Sequence, residues 1–121
     1  MRLHKVDTHE LVHRAKDYLA QTSRGRAGLL QTARAVGTSP STLALAFRTL
    51  ERISFYRYAL NLRLARAAAL LPTYDDLSRL AADLGFASHS HFSTAFHRWA
   101  GQTPSAYRAA VDRQGSPPGR T

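Results

Sequence analysis

Residues 33–50, ARAVGTSPSTLALAFRTL, and residues 81–99, AADLGFASHSHFSTAFHRW, carry one pattern twice. Ser39 aligns with Ser88, Leu43 with Phe92, Ala46 with Ala95 and Phe47 with Phe96, all at an offset of 49. Upstream, Ala33 matches Ala81 and Gly37 matches Gly85 at an offset of 48, so the second turn holds one residue more than the first. A helix with a small residue for close crossing, a glycine turn, then a Ser-capped helix with an inward aromatic is the helix-turn-helix pattern. Its internal repetition sets the fold.

Outward from the repeat, apolar residues return every three or four positions and no run alternates with period two, so the spacing predicts an all-α chain. Seven helices are expected. The first covers Thr8 to Ala20 with Leu11, Val12, Ala15 and Leu19 inward, and ends before the Ser23–Arg26 loop. The second runs from Gly28 to Val36. The third is capped by Ser39, has Pro40 in its first position and buries Leu43, Ala46, Phe47 and Leu50. The fourth runs from Ser54 to Leu71 and is closed by Pro72. It shows two apolar stripes, Phe55, Tyr58, Leu62, Ala65 and Leu60, Leu64, Ala67, Leu71, with Arg63 and Arg66 on the remaining face. Thr73 to Asp76 has capping-box spacing and opens a fifth helix with Leu77, Leu80, Ala81 and Leu84 inward. Ser88 caps a sixth with Phe92, Ala95, Phe96 and Trp99 inward, and Thr103-Pro104 starts a seventh with Tyr107 and Val111. The expected organisation is two homeodomain-like three-helix lobes, 1–53 and 73–113, joined by a linker helix over 54–72, with a disordered Pro- and Gly-rich tail over 114–121.

At 121 residues the chain can bury a modest core but no large substrate cavity. It has no cysteine, which excludes disulfides and thiolate metal sites, and no stretch approaches the roughly 20 apolar residues of a membrane span. A cytoplasmic location is expected. Lys and Arg number 17 against 8 acidic residues, a formal charge of +9. Between residues 18 and 74 the sole acid is Glu51, set against Arg24, Arg26, Arg34, Arg48, Arg52, Arg57, Arg63 and Arg66. Arginine forks onto phosphate, so the charge pattern points to an anionic partner, or, more plainly, to a solubilising surface.

The polar face of the sixth helix separates these readings. Ser90, Ser93, Thr94 and His97 follow i, i+3, i+4, i+7 spacing, with His89 at the start. Short hydrogen-bonding side chains in that register suit base edges, whereas a merely solvated face more often holds Glu, Lys and Gln. The corresponding face of the third helix is Ser41, Ala44, Leu45 and Arg48, which can touch a thymine methyl through its apolar members and guanine or phosphate through Arg48.

The stretch Leu80-Ala81-Ala82-Asp83-Leu84-Gly85-Phe86, followed by Ser88, His91-Phe92-Ser93, Phe96, Gly101-Gln102-Thr103-Pro104-Ser105 and Tyr107-Arg108, resembles the signature of the AraC/XylS family. Leu43 to Phe47, Tyr58, Arg63-Leu64, Ala67 and Leu70-Leu71 are similar to that family's first helix-turn-helix and linker helix, and the resemblance covers residues 8–113. It implies a sequence-specific transcription regulator whose two recognition helices enter successive major-groove segments of duplex promoter DNA. By position, Ser41, Ala44, Leu45, His89, Ser90, Ser93 and Thr94 would read bases, and Arg48, His97 and Arg98 would neighbour phosphates. The chain departs from the family at Arg52, where a glycine is usual, and on the first reading face, which lacks long polar side chains. The second lobe is therefore expected to carry most specificity while the Arg-rich first lobe grips phosphate. The resemblance further implies an N-terminal sensor or dimerisation domain, for which there is no room ahead of the first helix, and an activator surface that contacts RNA polymerase through Arg24 to Arg34 or the first helix is a further reading that supplements DNA binding.

Two rival functions are the DNA-binding part of a transposase or recombinase and a non-specific basic nucleic-acid binder. No cofactor, metal site or enzymatic activity is expected. His9 and His13 stand at i, i+4 without a third ligand at matching spacing, and Asp83, Ser90 and His97 lack a glycine elbow or oxyanion motif.

Overall fold

The computed structural model describes residues 7–22 and 27–114, and every regular element among them is helical. The seven α-helices are α1 (Thr8–Gln21), α2 (Leu29–Val36), α3 (Pro40–Glu51), α4 (Phe55–Leu70), α5 (Leu77–Asp83), α6 (His89–Ala100) and α7 (Pro104–Gln114), with a single 3-10 turn, Leu71–Thr73, after α4. The expected Ser23–Arg26 loop and the tail from residue 115 lie outside the described residues. The chain falls into two compact units, Met1–Leu60 and Asn61–Thr121, so their boundary lies inside α4.

In the first unit Asp7 caps α1, its carboxylate accepting from the Glu10 amide at 3.3 Å, and Leu11, Val12, Ala15 and Leu19 are buried. Ser39 caps α3 by accepting from the Thr42 amide at 3.1 Å. Phe47 is fully buried, meeting Phe55 edge-on at 5.2 Å and Tyr58 at 5.4 Å. Such pairs are worth about 0.5–1.5 kcal/mol beyond the area they bury. Lys16 ties α1 to α3, its Nζ lying 2.7 Å from a Glu51 carboxylate oxygen and over the Tyr58 ring. The hydrogen bond to Glu51 holds the Lys16 ammonium above the ordinary lysine range, with the Glu51 charge adding and burial opposing. Because the folded value is raised, this contribution is complete at neutral pH and fades only as pH climbs through it.

In the second unit Phe96 contacts Phe92 at 5.7 Å, Trp99 at 5.7 Å and Tyr107 at 5.5 Å. Leu64, Ala67, Leu71, Leu80, Ala81 and Leu84 complete the buried interior. Arg108 crosses from α7 to donate to the Tyr74 carbonyl at 2.6 Å, and the Tyr74 hydroxyl donates to Asp83 at 2.6 Å. The two turns close alike: Thr38 N–H donates to the Ala33 carbonyl at 2.9 Å, and Phe86 N–H donates to the Ala81 carbonyl at 3.0 Å. Gly37 and Gly85 stand at φ +80 and +86 in those closures.

Four expectations are corrected. Thr73 does not cap α5: its hydroxyl donates back to the Leu70 carbonyl at 2.7 Å in the 3-10 turn, leaving Asp76 to accept from the Ser78 and Arg79 amides. The Leu60, Leu64, Ala67, Leu71 stripe of α4 and the turn after it is buried along its length, but of the other stripe Phe55 alone is buried, Tyr58 and Leu62 are half-buried and Ala65 is exposed. A lone methyl gains little from burial, so Ala65 does not hold a face to the core. Arg63 is not on an open face. It is half-buried, its guanidinium 4.9 Å from the Phe86 ring centroid and its Nη1 donating to the Gly85 carbonyl at 3.4 Å. Trp99 keeps 40% of its surface exposed, because Phe92, Phe96 and Tyr107 already occupy the interior and the indole reaches only the edge of Phe96.

Candidate nucleic-acid interface

A recognition helix must offer one face to its own unit and leave the other bare, and α3 and α6 both do so. On α6, Phe92 and Phe96 are buried, while His89, Ser90, Thr94, His97 and Arg98 are exposed and Ser93 is half-buried. Ser88 caps the helix by accepting from the His91 amide at 3.0 Å, which orients the first turn and its exposed hydroxyl and imidazole groups. His91 is exposed too, but its ring lies edge-on to Phe86 at 5.5 Å, at the margin of the core. The exposed ridge thus offers hydroxyl groups that donate or accept and imidazoles that do both, with cationic Arg98 beside them.

On α3, Leu43, Ala46 and Phe47 are buried, Ser41, Leu45 and Arg48 are exposed, and Ala44 is half-buried. Leu45 keeps 68% of its surface exposed and borders a shallow groove with Thr8, Leu11, Thr42, Ala46 and Thr49. Leu43 and Phe47 of the same helix are buried and Leu50 is half-buried, so Leu45 is the large apolar side chain that α3 leaves bare, with no donor or acceptor. It can meet a methyl group but cannot read a polar base edge.

The described arginines differ in burial. Arg63 and Arg108 serve their own unit through the contacts above, which charge alone did not disclose. Arg66 is half-buried, whereas Arg14, Arg34, Arg48, Arg52 and Arg57 in the first unit, and Arg79, Arg98 and Arg113 in the second, are exposed. Arg52 terminates α3 in the left-handed region at φ +63, the sole non-glycine residue with positive φ among the described residues, and its N–H donates to the Arg48 carbonyl at 3.2 Å. Gly101 ends α6 in the same way at φ +82, its N–H donating to the His97 carbonyl at 2.9 Å. Among the described residues no group of three or more His, Cys, Asp or Glu side chains is placed to hold a metal. No helix there is long and apolar enough to cross a membrane.

A family model described as a helix-turn-helix domain matches residues 32–110, which contain α3 and α6. No curated protein matches the chain closely enough to count as a relative. Among solved structures, the chain is similar to a transcriptional regulator with an AraC-type DNA-binding domain from Chromobacterium violaceum, at 25% identity and a TM-score of 0.78, over 84% of this chain and 92% of that one. It is similar to the C-terminal domain of AraT, a response regulator from Geobacillus stearothermophilus, at 27% identity and a TM-score of 0.74, over 83% and 84% of the two chains. It is also similar to the DNA-binding domain of AdpA, a global transcriptional factor solved in complex with a target DNA, at 26% identity and a TM-score of 0.69, over 91% and 96%.

Proposed function

The chain belongs to the AraC-type helix-turn-helix family, and on that premise we propose that it is a bacterial transcription regulator that binds duplex DNA by sequence, with α3 and α6 as its recognition helices. The observation that carries this reading is the repeated Ser-capped helix with one buried and one bare face, seen at α3 and again at α6. His89, Ser90, Ser93 and Thr94 contact base edges, while Ser41, Ala44 and Leu45 make the weaker, largely apolar contacts of the first unit. Arg48, His97 and Arg98 grip phosphate and fix the register without reading sequence. The protein acts in the cytoplasm without enzymatic activity. RNA polymerase and an N-terminal sensor or dimerisation domain complete its set of partners.

The test is enrichment of random duplexes of about 30 base pairs by the purified chain at near-physiological salt, followed by sequencing. Two short unlike blocks about one helical turn apart are the expected result. Tight, salt-sensitive binding without any enriched sequence would overturn sequence-specific recognition in favour of a purely electrostatic binder.

A further inference from the structure

The exposed ridge of α3 does not stop at Arg48. Ser41, Leu45, Arg48 and Arg52 stand at i, i+4, i+7 and i+11, the spacing of one helical face, and Ser41, Leu45, Arg48 and Arg52 are all exposed. The equivalent ridge of α6 is Ser90, Thr94, His97 and Gly101, so Arg52 occupies the position that the second unit gives to glycine. A left-handed C-cap is strained for any residue with a Cβ, and glycine removes that strain. Holding a long cationic side chain there works against stability, and such residues concentrate where the side chain has a task.

Nothing among the described residues of its own unit accounts for the guanidinium. The one acid near it in sequence, Glu51, is half-buried and committed to Lys16 at 2.7 Å. Neither Arg48 nor Arg52 forms an ion pair with a described residue, and exposed Arg57 follows at the start of α4. An arginine group at the C-terminal end of a recognition helix suits the phosphate chain that flanks the groove.

Resting on the proposed DNA-binding role, we propose that Arg52, together with Arg48, forms a phosphate clamp for the DNA backbone, and that the strained cap is kept for this contact. The clamp is blind to sequence.

The test compares the full chain with Arg52→Gly and Arg52→Lys by thermal unfolding and by fluorescence-anisotropy salt titration on a random duplex of about 30 base pairs. Arg52→Gly should raise Tm yet flatten the log-log salt slope by about 0.9, which means about fivefold weaker binding near 0.15 M salt on extrapolation from 1 M. Arg52→Lys should keep the slope. Unchanged affinity and slope in Arg52→Gly, or weaker binding accompanied by a lower Tm, would overturn the clamp. If the unaltered chain shows no salt-dependent duplex binding, the DNA-binding role itself fails and the clamp falls with it.

Discussion

Where the first unit places Thr32, Leu45 and Arg52, the second places Leu80, Thr94 and Gly101 at the matching points of its frame. Each exchange has a direction. Thr32 and Leu80 are both fully buried, but the Thr32 hydroxyl finds no hydrogen-bond partner among the described residues. Leu45 and Thr94 are both exposed on the recognition ridge, one with nothing to donate and the other with a hydroxyl. Arg52 and Gly101 close the same left-handed cap, one with strain and charge and the other with neither. At these points the second unit holds an apolar residue inside, a hydrogen-bonding one outside and an unstrained cap. The first carries polar and cationic groups at some cost in stability. A duplicated frame can thus specialise through its side chains while the closures of its turns and the serine caps of α3 and α6 stay alike.

The largest expected effect tests what the units share. Phe47→Ala and Phe96→Ala each remove a fully buried ring with several aromatic neighbours, and each should cost about 3–5 kcal/mol in denaturant unfolding. A loss near 1 kcal/mol at either site would show that the two cores are not equivalent. Next comes the contrast between the ridges. Thr94→Ala should weaken binding to a selected duplex by about 1–3 kcal/mol and leave random DNA almost unaffected, whereas Leu45→Ala should cost less than Thr94→Ala on the same duplex. The caps come third. Gly101→Ala should lower stability by about 1 kcal/mol from backbone strain alone, since no heavy atom lies within 4 Å of the added Cβ. The smallest effect is at Thr32→Val, which should be neutral or stabilising by less than about 1 kcal/mol, because it removes a buried hydroxyl without changing shape. A clear loss at Thr32 would mean that its hydroxyl is bonded after all.

The repeat at offsets 48 and 49 was legible because both copies share the features that local physics rewards: a glycine turn, a serine cap and a buried aromatic. The bare ridges were legible for the same reason, since helical periodicity separates faces whatever the tertiary contacts. Trp99 was misjudged because spacing reports direction and not the space left by Phe92, Phe96 and Tyr107. Arg63 reads as surface charge because its partner, the Phe86 ring, lies 23 positions away, and nothing local announces the contact of Arg108 with the Tyr74 carbonyl, 34 positions away. Thr73 had the right spacing for a cap, but a serine or threonine hydroxyl can bond backward as readily as forward, and here the Leu70 carbonyl took it. At Arg52 the missing glycine is visible in sequence, but the left-handed φ only in three dimensions.

The central claim is that α6 reads sequence while the arginines of the first unit grip the backbone. Its most direct test is the duplex-enrichment experiment run in parallel on the unaltered chain, Thr94→Ala and Arg48→Ala, with salt titrations on selected and random DNA. The account predicts that Thr94→Ala blurs one enriched block and keeps random-DNA affinity, while Arg48→Ala keeps both blocks but weakens every sequence and flattens the salt slope by about 1. Equal losses on selected and random DNA for both variants would contradict it.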